Sequence, residues 1–143
     1  MGLDIAVTAM NEREDGDAVR YVCRRLRERF GIRVTLGSSD PRAVERLIER
    51  ASLAISERLH ALILAFRAHT AAVGIARDPK ISSFLQDVDC SPCVLSPDAV
   101  TPDTLLRAAR HAMAHPHTSD RLTALRARTL RDATLANRLI LRK

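Results

Sequence analysis

Short apolar runs alternate with amphipathic segments along the first 115 residues. The runs with strand character cover residues 3–9, 32–36, 52–55, 70–76 and 93–95. Each run is followed by a segment whose apolar residues recur at helical spacing. Strands that alternate with helices predict a parallel sheet with right-handed crossovers and helices on both faces. The pattern therefore predicts an α/β, Rossmann-like fold.

Residues with strong backbone preferences indicate where the helices begin and end. Gly16 and Asp17 introduce the first helical pattern, and Gly31 ends it. Asp40 precedes a proline at the start of the second helix, as an N-cap residue would. Further helices are expected at residues 57–68, 80–86 and 101–114. We expect one domain over residues 1–118, followed by a basic C-terminal helix over residues 119–143.

Length and hydrophobicity agree with a folded domain. The 143 residues are 46% hydrophobic, which is enough to bury a core. The sequence has no signal-peptide pattern and no apolar stretch near the ~20 residues that span a bilayer. We expect a cytoplasmic protein, with the inner face of the membrane as an alternative location.

The three cysteines, Cys23, Cys90 and Cys93, predict reduced thiols rather than a disulfide framework. The Cys90–Cys93 pair has no second pair at zinc-finger spacing, so an ordinary reduced loop is favoured over a metal or redox site.

The positive charge is concentrated near the C-terminus. The formal net charge is +6. Residues 107–143 hold nine Arg or Lys against Asp120 and Asp132, a sum of +7, so the first 106 residues sum to −1. The chain has no tryptophan, one tyrosine and no motif of the common nucleic-acid-binding modules, so we expect no nucleic-acid partner. Apart from the last residue, Lys80 is the only lysine in a chain that otherwise uses arginine. A compact ammonium group at that position would suit a small anion.

Two candidate turns follow the third and fourth predicted strands. The first contains Ser56, Arg58 and His60, and the second contains Asp78 and Lys80. The carboxyl ends of parallel strands share one edge, where ligands bind in open α/β sheets. Both turns open helices, whose N–H groups attract anions. Ser56 is expected to cap the first helix, and Asp78 with Pro79 to cap and start the second. A site for a small, highly charged anion is one interpretation. Taken singly, His60 is also compatible with a surface position, Asp78 with a simple helix cap and Lys80 with a solvated lysine.

The same residues show a family resemblance. The stretch SERLHALILAF, followed by VGIARDPKISSFL, resembles the R-L-H-x-L-I and D-P-K signatures of the polysaccharide pyruvyl transferase family, especially its CsaB-type bacterial cell-wall branch. The resemblance covers residues 3–94 as the C-terminal half of such a protein. It implies the C-terminal domain of a fold like that of the two-domain GT-B glycosyltransferases, with the active site between two Rossmann-like halves.

The resemblance also implies an activity and a set of site residues. Family members transfer the enolpyruvyl part of phosphoenolpyruvate to two hydroxyls of a sugar, forming a ketal. Arg58 and Lys80 would bind the donor with Ser56 and Asp78, and His60 would be catalytic. No cofactor and no metal are expected. The sugar acceptor is lipid-linked or soluble, and an N-terminal Rossmann-like half is expected to complete the enzyme.

Other functions stay open at this point. A glycosyltransferase half would bind a nucleotide diphosphate at the same edge, and a degenerate domain would bind only a partner.

Two residues depart from the family pattern. The family usually has a hydrophobic residue before R-L-H, where this chain has Glu57, and a residue such as tyrosine before D-P-K, where this chain has Arg77. Glu57 either weakens the positive field that would attract an anion or pairs with Arg77.

The apolar side of residues 119–143 predicts self-association or a poorly anchored helix.

Overall fold

The chain forms two compact α/β units. The computed structural model describes residues 4–115, 123–124, 127–128 and 131. One unit is Met1–Arg50 and the other is Ala51–Lys143. The strands are parallel in both units and are flanked by helices, so the predicted Rossmann-like α/β class is confirmed. The described strand pairing lies within two sheets, one of two strands and one of three.

The first unit contains two strands and two helices. These are β1 (Ile5–Val7), α1 (Glu12–Phe30), β2 (Val34–Leu36) and α2 (Pro41–Glu49). The strands β1 and β2 pair in parallel, and each has only three residues. The most deeply buried apolar side chains of this unit come from both helices, from β2 and from the loop after β1: Ala9, Cys23, Val34, Val44 and Ile48.

Helix α1 begins at Glu12, before the Gly16-Asp17 pair that the sequence pattern placed at its start. The side chain of Asn11 accepts a hydrogen bond from the backbone N–H of Arg13 and so caps the helix. Acidic residues in the first turn further favour this start, because the helix N-terminus carries partial positive charge. The predicted end is confirmed. Gly31 adopts a left-handed conformation with φ of 61° and donates to the carbonyl of Arg27.

The second unit alternates three strands and three helices. These are β3 (Leu53–Ser56), α3 (Leu59–Arg67), β4 (Ala71–Ile75), α4 (Pro79–Asp87), β5 (Val94–Leu95) and α5 (Pro102–Ala114). The strand order is β3-β4-β5, and all neighbours are parallel. The central strand β4 is buried over its first four residues, as expected for a strand of a parallel sheet.

The core of the second unit lies against β4. The helices α3, α4 and α5 all pack on this strand. Fully buried side chains fill the space between them: Leu62, Ala65, Ala72, Val73, Ile81, Leu85, Val88 and Cys93. Phe66 and Phe84 join α3 to α4 in an edge-to-face contact, with ring centroids 5.3 Å apart. This packing fixes the positions at which α3 and α4 leave the sheet.

The predicted C-terminal helix at residues 119–143 lies mostly outside the described residues. Within it, residues 123–124, 127–128 and 131 are helical. Arg128 Nη1 lies 3.8 Å from Asp87 Oδ1 at the end of α4. Self-association through this segment stays a prediction. In the part of the chain that the structure describes, no helix has the length and hydrophobicity needed to cross a membrane.

Candidate functional site

Two turns leave the same edge of the three-stranded sheet. Strand β3 ends at Ser56 and β4 ends at Ile75, and Ser56 lies opposite Gly74 in the parallel register. Strand β3 is followed by helix α3, and strand β4 is followed by helix α4. The carboxyl edge of the sheet therefore presents the start of two helices side by side, which is the usual ligand-binding edge of an open α/β sheet.

The turn between β3 and α3 is held by the hydroxyl of Ser56. This hydroxyl accepts a hydrogen bond from the N–H of Arg58 at 2.9 Å and lies 3.3 Å from the carbonyl of the same residue, to which it donates. The prediction that Ser56 caps the helix was wrong. Arg58 is the N-cap residue, in extended conformation and without a side-chain cap, so α3 begins at Leu59 rather than at residue 57.

The turn between β4 and α4 has the predicted cap. Asp78 Oδ1 accepts a hydrogen bond of 2.9 Å from the backbone N–H of Lys80, and Pro79 occupies the first helical position. Proline suits this position because its φ is already helical and no N–H is lost from the helix ladder. A backbone hydrogen bond of 2.9 Å from Arg77 to Ile75 tightens the chain just before the cap. The start of α4 is therefore well defined.

His60 and Lys80 occupy equivalent positions in their two helices. Each is the second helical residue, after the N-cap residues Arg58 and Asp78 respectively. Both side chains are exposed to solvent, whereas Arg58 is half-buried and its Nε atom is fully buried. The helix dipole makes both positions favourable for a negative ligand, although the N–H of Lys80 already donates to Asp78. The structure thus brings all five predicted site residues to two neighbouring turns.

An ion pair joins the two turns. Arg77 Nη1 lies 3.3 Å from Glu57 Oε2 and 3.5 Å from Oε1. Of the two alternatives for Glu57, its pairing with Arg77 is confirmed. The Arg77 side chain is 67% exposed and that of Glu57 is 41% exposed, so water screens the interaction. Such pairs typically contribute about 0–1 kcal/mol to stability.

A basic cavity in the first unit was not predicted from the sequence. It has a volume of about 300 Å³, and its lining is Arg20, Cys23, Arg24, Arg27, Glu28 and Leu36. The signal for it is the recurrence of arginine at helical spacing along α1. Arg20 donates to Asp17 and Glu12, and these hydrogen bonds raise the pKa of its guanidinium above the ordinary value. Arg27 donates to the carbonyl of Val34 at 2.6 Å. Two of the arginines that line the cavity, Arg20 and Arg27, therefore already have hydrogen-bond partners.

Comparison with known protein families identifies the family of the chain. The family model for polysaccharide pyruvyl transferase matches residues 4–79, just over half of the chain. The chain belongs to the polysaccharide pyruvyl transferase family. The match includes Ser56, Arg58, His60 and Asp78, and it ends one residue before Lys80.

Family membership confirms the resemblance that the R-L-H and D-P-K motifs indicated. It makes the protein a transferase of polysaccharide biosynthesis. No curated protein and no solved structure matches the chain. Among the described residues, no group of three or more histidine, cysteine, aspartate or glutamate side chains is placed to hold a metal ion.

Proposed function

We propose that this chain provides the donor site of a phosphoenolpyruvate-dependent pyruvyl transferase. The observation that supports this most directly is the pair of adjacent turns after β3 and β4, which brings Arg58, His60 and Lys80 to one edge of the sheet in a chain of this family. The product would be a pyruvate ketal on a sugar of a cell-wall polysaccharide or exopolysaccharide.

Donor binding in this proposal depends on positive charge and on helix N-termini. Phosphoenolpyruvate has a phosphate and a carboxylate, and each needs charge-assisted donors. Arg58 and Lys80 supply these donors, aided by the dipoles of α3 and α4. Ser56 and Asp78 belong to the binding turns because their side chains hold the backbones of Arg58 and Lys80 in place. Asp78 would orient the turn rather than contact the anion, since its carboxylate repels negative charge.

His60 would act on the reacting carbon atoms. Protonation of the methylene carbon of phosphoenolpyruvate makes C2 electrophilic. One sugar hydroxyl then adds to C2 and loses its proton. Cleavage of the bond between C2 and the phosphate oxygen releases inorganic phosphate, and the second hydroxyl adds to C2 and loses its proton to complete the ketal. A histidine at the start of α3 is a suitable acid for the first step because it is exposed at the donor edge.

The acceptor sugar would be bound mainly by another domain. In the two-domain enzymes that this family resembles, the active site lies between two Rossmann-like halves. We therefore expect the 143 residues alone to bind phosphoenolpyruvate weakly and not to transfer pyruvate to sugar. Pyruvylation of a soluble or lipid-linked glycan by the purified chain would contradict this part of the proposal.

Thermal unfolding in the presence of ligands tests the proposed donor. Phosphoenolpyruvate should raise the melting temperature more than equal concentrations of inorganic phosphate or UDP, because a ligand that binds only the folded state stabilises it. Preferential stabilisation by UDP would instead favour a glycosyltransferase half. If neither compound stabilises the protein, a domain that only binds a protein partner is the better explanation.

A further inference from the structure

Cys90 and Cys93 lie on one side of a short turn between α4 and β5. The residues Ser91–Cys93 form a 3-10 helix, and the N–H of Cys93 donates to the carbonyl of Cys90 at 2.9 Å. Cys90 is the residue just before this helix and Cys93 is its last residue, so the hydrogen bond closes a four-residue turn with the two cysteines at its ends. The Cα atoms at the ends of such a turn are less than about 7 Å apart, and disulfides join Cα atoms about 4.4–6.8 Å apart. The backbone therefore presents two thiols in a geometry that a disulfide can bridge.

The two thiols also interact directly. A hydrogen bond from the Cys90 side chain lowers the pKa of the Cys93 thiol, and burial opposes this effect only in part. A lower pKa increases the fraction of thiolate, which is the form that attacks a disulfide. Cys93 is 0% exposed and Cys90 is 5% exposed. The turn packs against α4, α5 and β4, so an oxidant reaches the thiols only when the turn opens locally.

We propose that Cys90 and Cys93 are a redox-sensitive modification site that forms a reversible disulfide within this turn. The sequence favoured an ordinary reduced loop over a metal or redox site. The 3-10 turn and the contact between the thiols are the structural observations that change this interpretation. The inference does not depend on the proposed donor site.

A low-molecular-weight disulfide such as glutathione disulfide would be the oxidant. The Cys93 thiolate attacks one sulfur of glutathione disulfide, forms a mixed disulfide and releases one glutathione thiolate. Cys90, after losing its proton, then attacks the Cys93 sulfur and releases the second glutathione. The protein pair loses two electrons and two protons, and glutathione disulfide is reduced to two glutathione molecules.

The test uses the full chain, in folded form, in mixtures of reduced and oxidised glutathione. We expect intact mass spectrometry to show the loss of two hydrogens, peptide mapping to link Cys90 with Cys93, and reduced glutathione to reverse the change. Cys23→Ser is the matched control, because Cys23 is also buried but lies on α1. This variant should form the disulfide as the unchanged protein does.

The contrary result is equally clear. If the folded protein keeps three free thiols under conditions in which the urea-unfolded protein is oxidised, the proposal fails. A disulfide that includes Cys23 would also overturn the proposal, as would stable glutathionylation without a disulfide between Cys90 and Cys93. These measurements need no substitution at Cys90 or Cys93, so a loss of folding in such variants cannot obscure the answer.

Discussion

The Glu57 carboxylate lies 3.3 Å from the Arg77 guanidinium, and this contact joins the turn after β3 to the turn after β4. Both residues depart from the usual family pattern, and their charges are opposite. Each therefore offsets the effect of the other on the field at the sheet edge. Arg58, His60 and Lys80 remain as the candidates for donor binding.

Neutralising one member of this pair should change donor affinity with a predictable sign. Glu57→Gln removes a negative charge near the edge, so phosphoenolpyruvate should bind a few-fold more tightly. Arg77→Gln leaves Glu57 uncompensated and should weaken binding by a similar factor. Both effects should shrink in high salt, since the pair is exposed. Isothermal titration at two salt concentrations measures them.

The exchanged variant separates charge from position. Glu57→Arg combined with Arg77→Glu keeps the net charge and the opportunity for an ion pair, so affinity should stay near that of the unchanged protein. If both single variants weaken binding and the exchange restores it, the pair acts by holding the two turns together. Our electrostatic explanation would then be wrong.

Replacement of Lys80 by alanine tests the donor site by removing one positive charge. We expect a loss of about 1.5–3 kcal/mol in the binding of phosphoenolpyruvate, the range for hydrogen bonds to charged groups. The fold should be retained because Lys80 is exposed. Arg107→Ala is the matched control, since it removes one exposed positive charge from α5. Equal losses in both variants would show that only the overall charge matters.

The cap at Asp78 should contribute measurably to stability. Asp78→Ala removes the hydrogen bond to the N–H of Lys80 and should lower the free energy of unfolding by about 0.5–2 kcal/mol. Asp78→Ser keeps a capping oxygen and should recover most of this loss. Asp40→Ala provides the comparison, because Asp40 is the N-cap of α2 but makes no side-chain cap. Chemical denaturation should rank Asp78→Ala as the more damaging change, and the reverse order would contradict the cap assignment.

Gly74 is required by close packing in the middle of the second unit. A Cβ atom there would lie 2.6 Å from Leu85 Cδ1 and 2.9 Å from Ile81 Cγ2. Both side chains are fully buried and cannot move into solvent. Gly74→Ala should therefore destabilise the protein by about 1–3 kcal/mol. Adding Leu85→Val should recover part of the loss, and an unchanged melting temperature for Gly74→Ala alone would contradict this packing.

Local signals in the sequence were sufficient for much of the fold. Gly31, Asp78 and Thr101 mark helix ends through their own backbone and side-chain preferences, and the structure confirms each of them. Asn11 was missed because it stands among exposed charged residues that give no apolar period. Ser56 was misassigned because a serine before a helical segment is typical of a cap, whereas its hydroxyl is engaged by the Arg58 backbone.

Contacts between residues that are distant in the sequence were harder to predict. The division into two units depends on which strands pair, and the alternation of strands and helices does not determine that pairing. The contact between Glu57 and Arg77 depends on the register of β3 against β4, which sets Ser56 opposite Gly74. The sequence raised the pairing as one of two alternatives, and the structure was needed to choose between them.

The most direct test of the donor site is an amide NMR titration of the 15.8 kDa protein with phosphoenolpyruvate. The predicted result is a saturable shift of the amide signals of Leu59, His60 and Lys80, with little change for Ala108 and Ala112 in the buried face of α5. The Lys80→Ala variant should need a higher concentration to reach saturation. Shifts confined to the arginine-lined cavity on α1, or a response at the sheet edge to UDP but not to phosphoenolpyruvate, would contradict the proposed site.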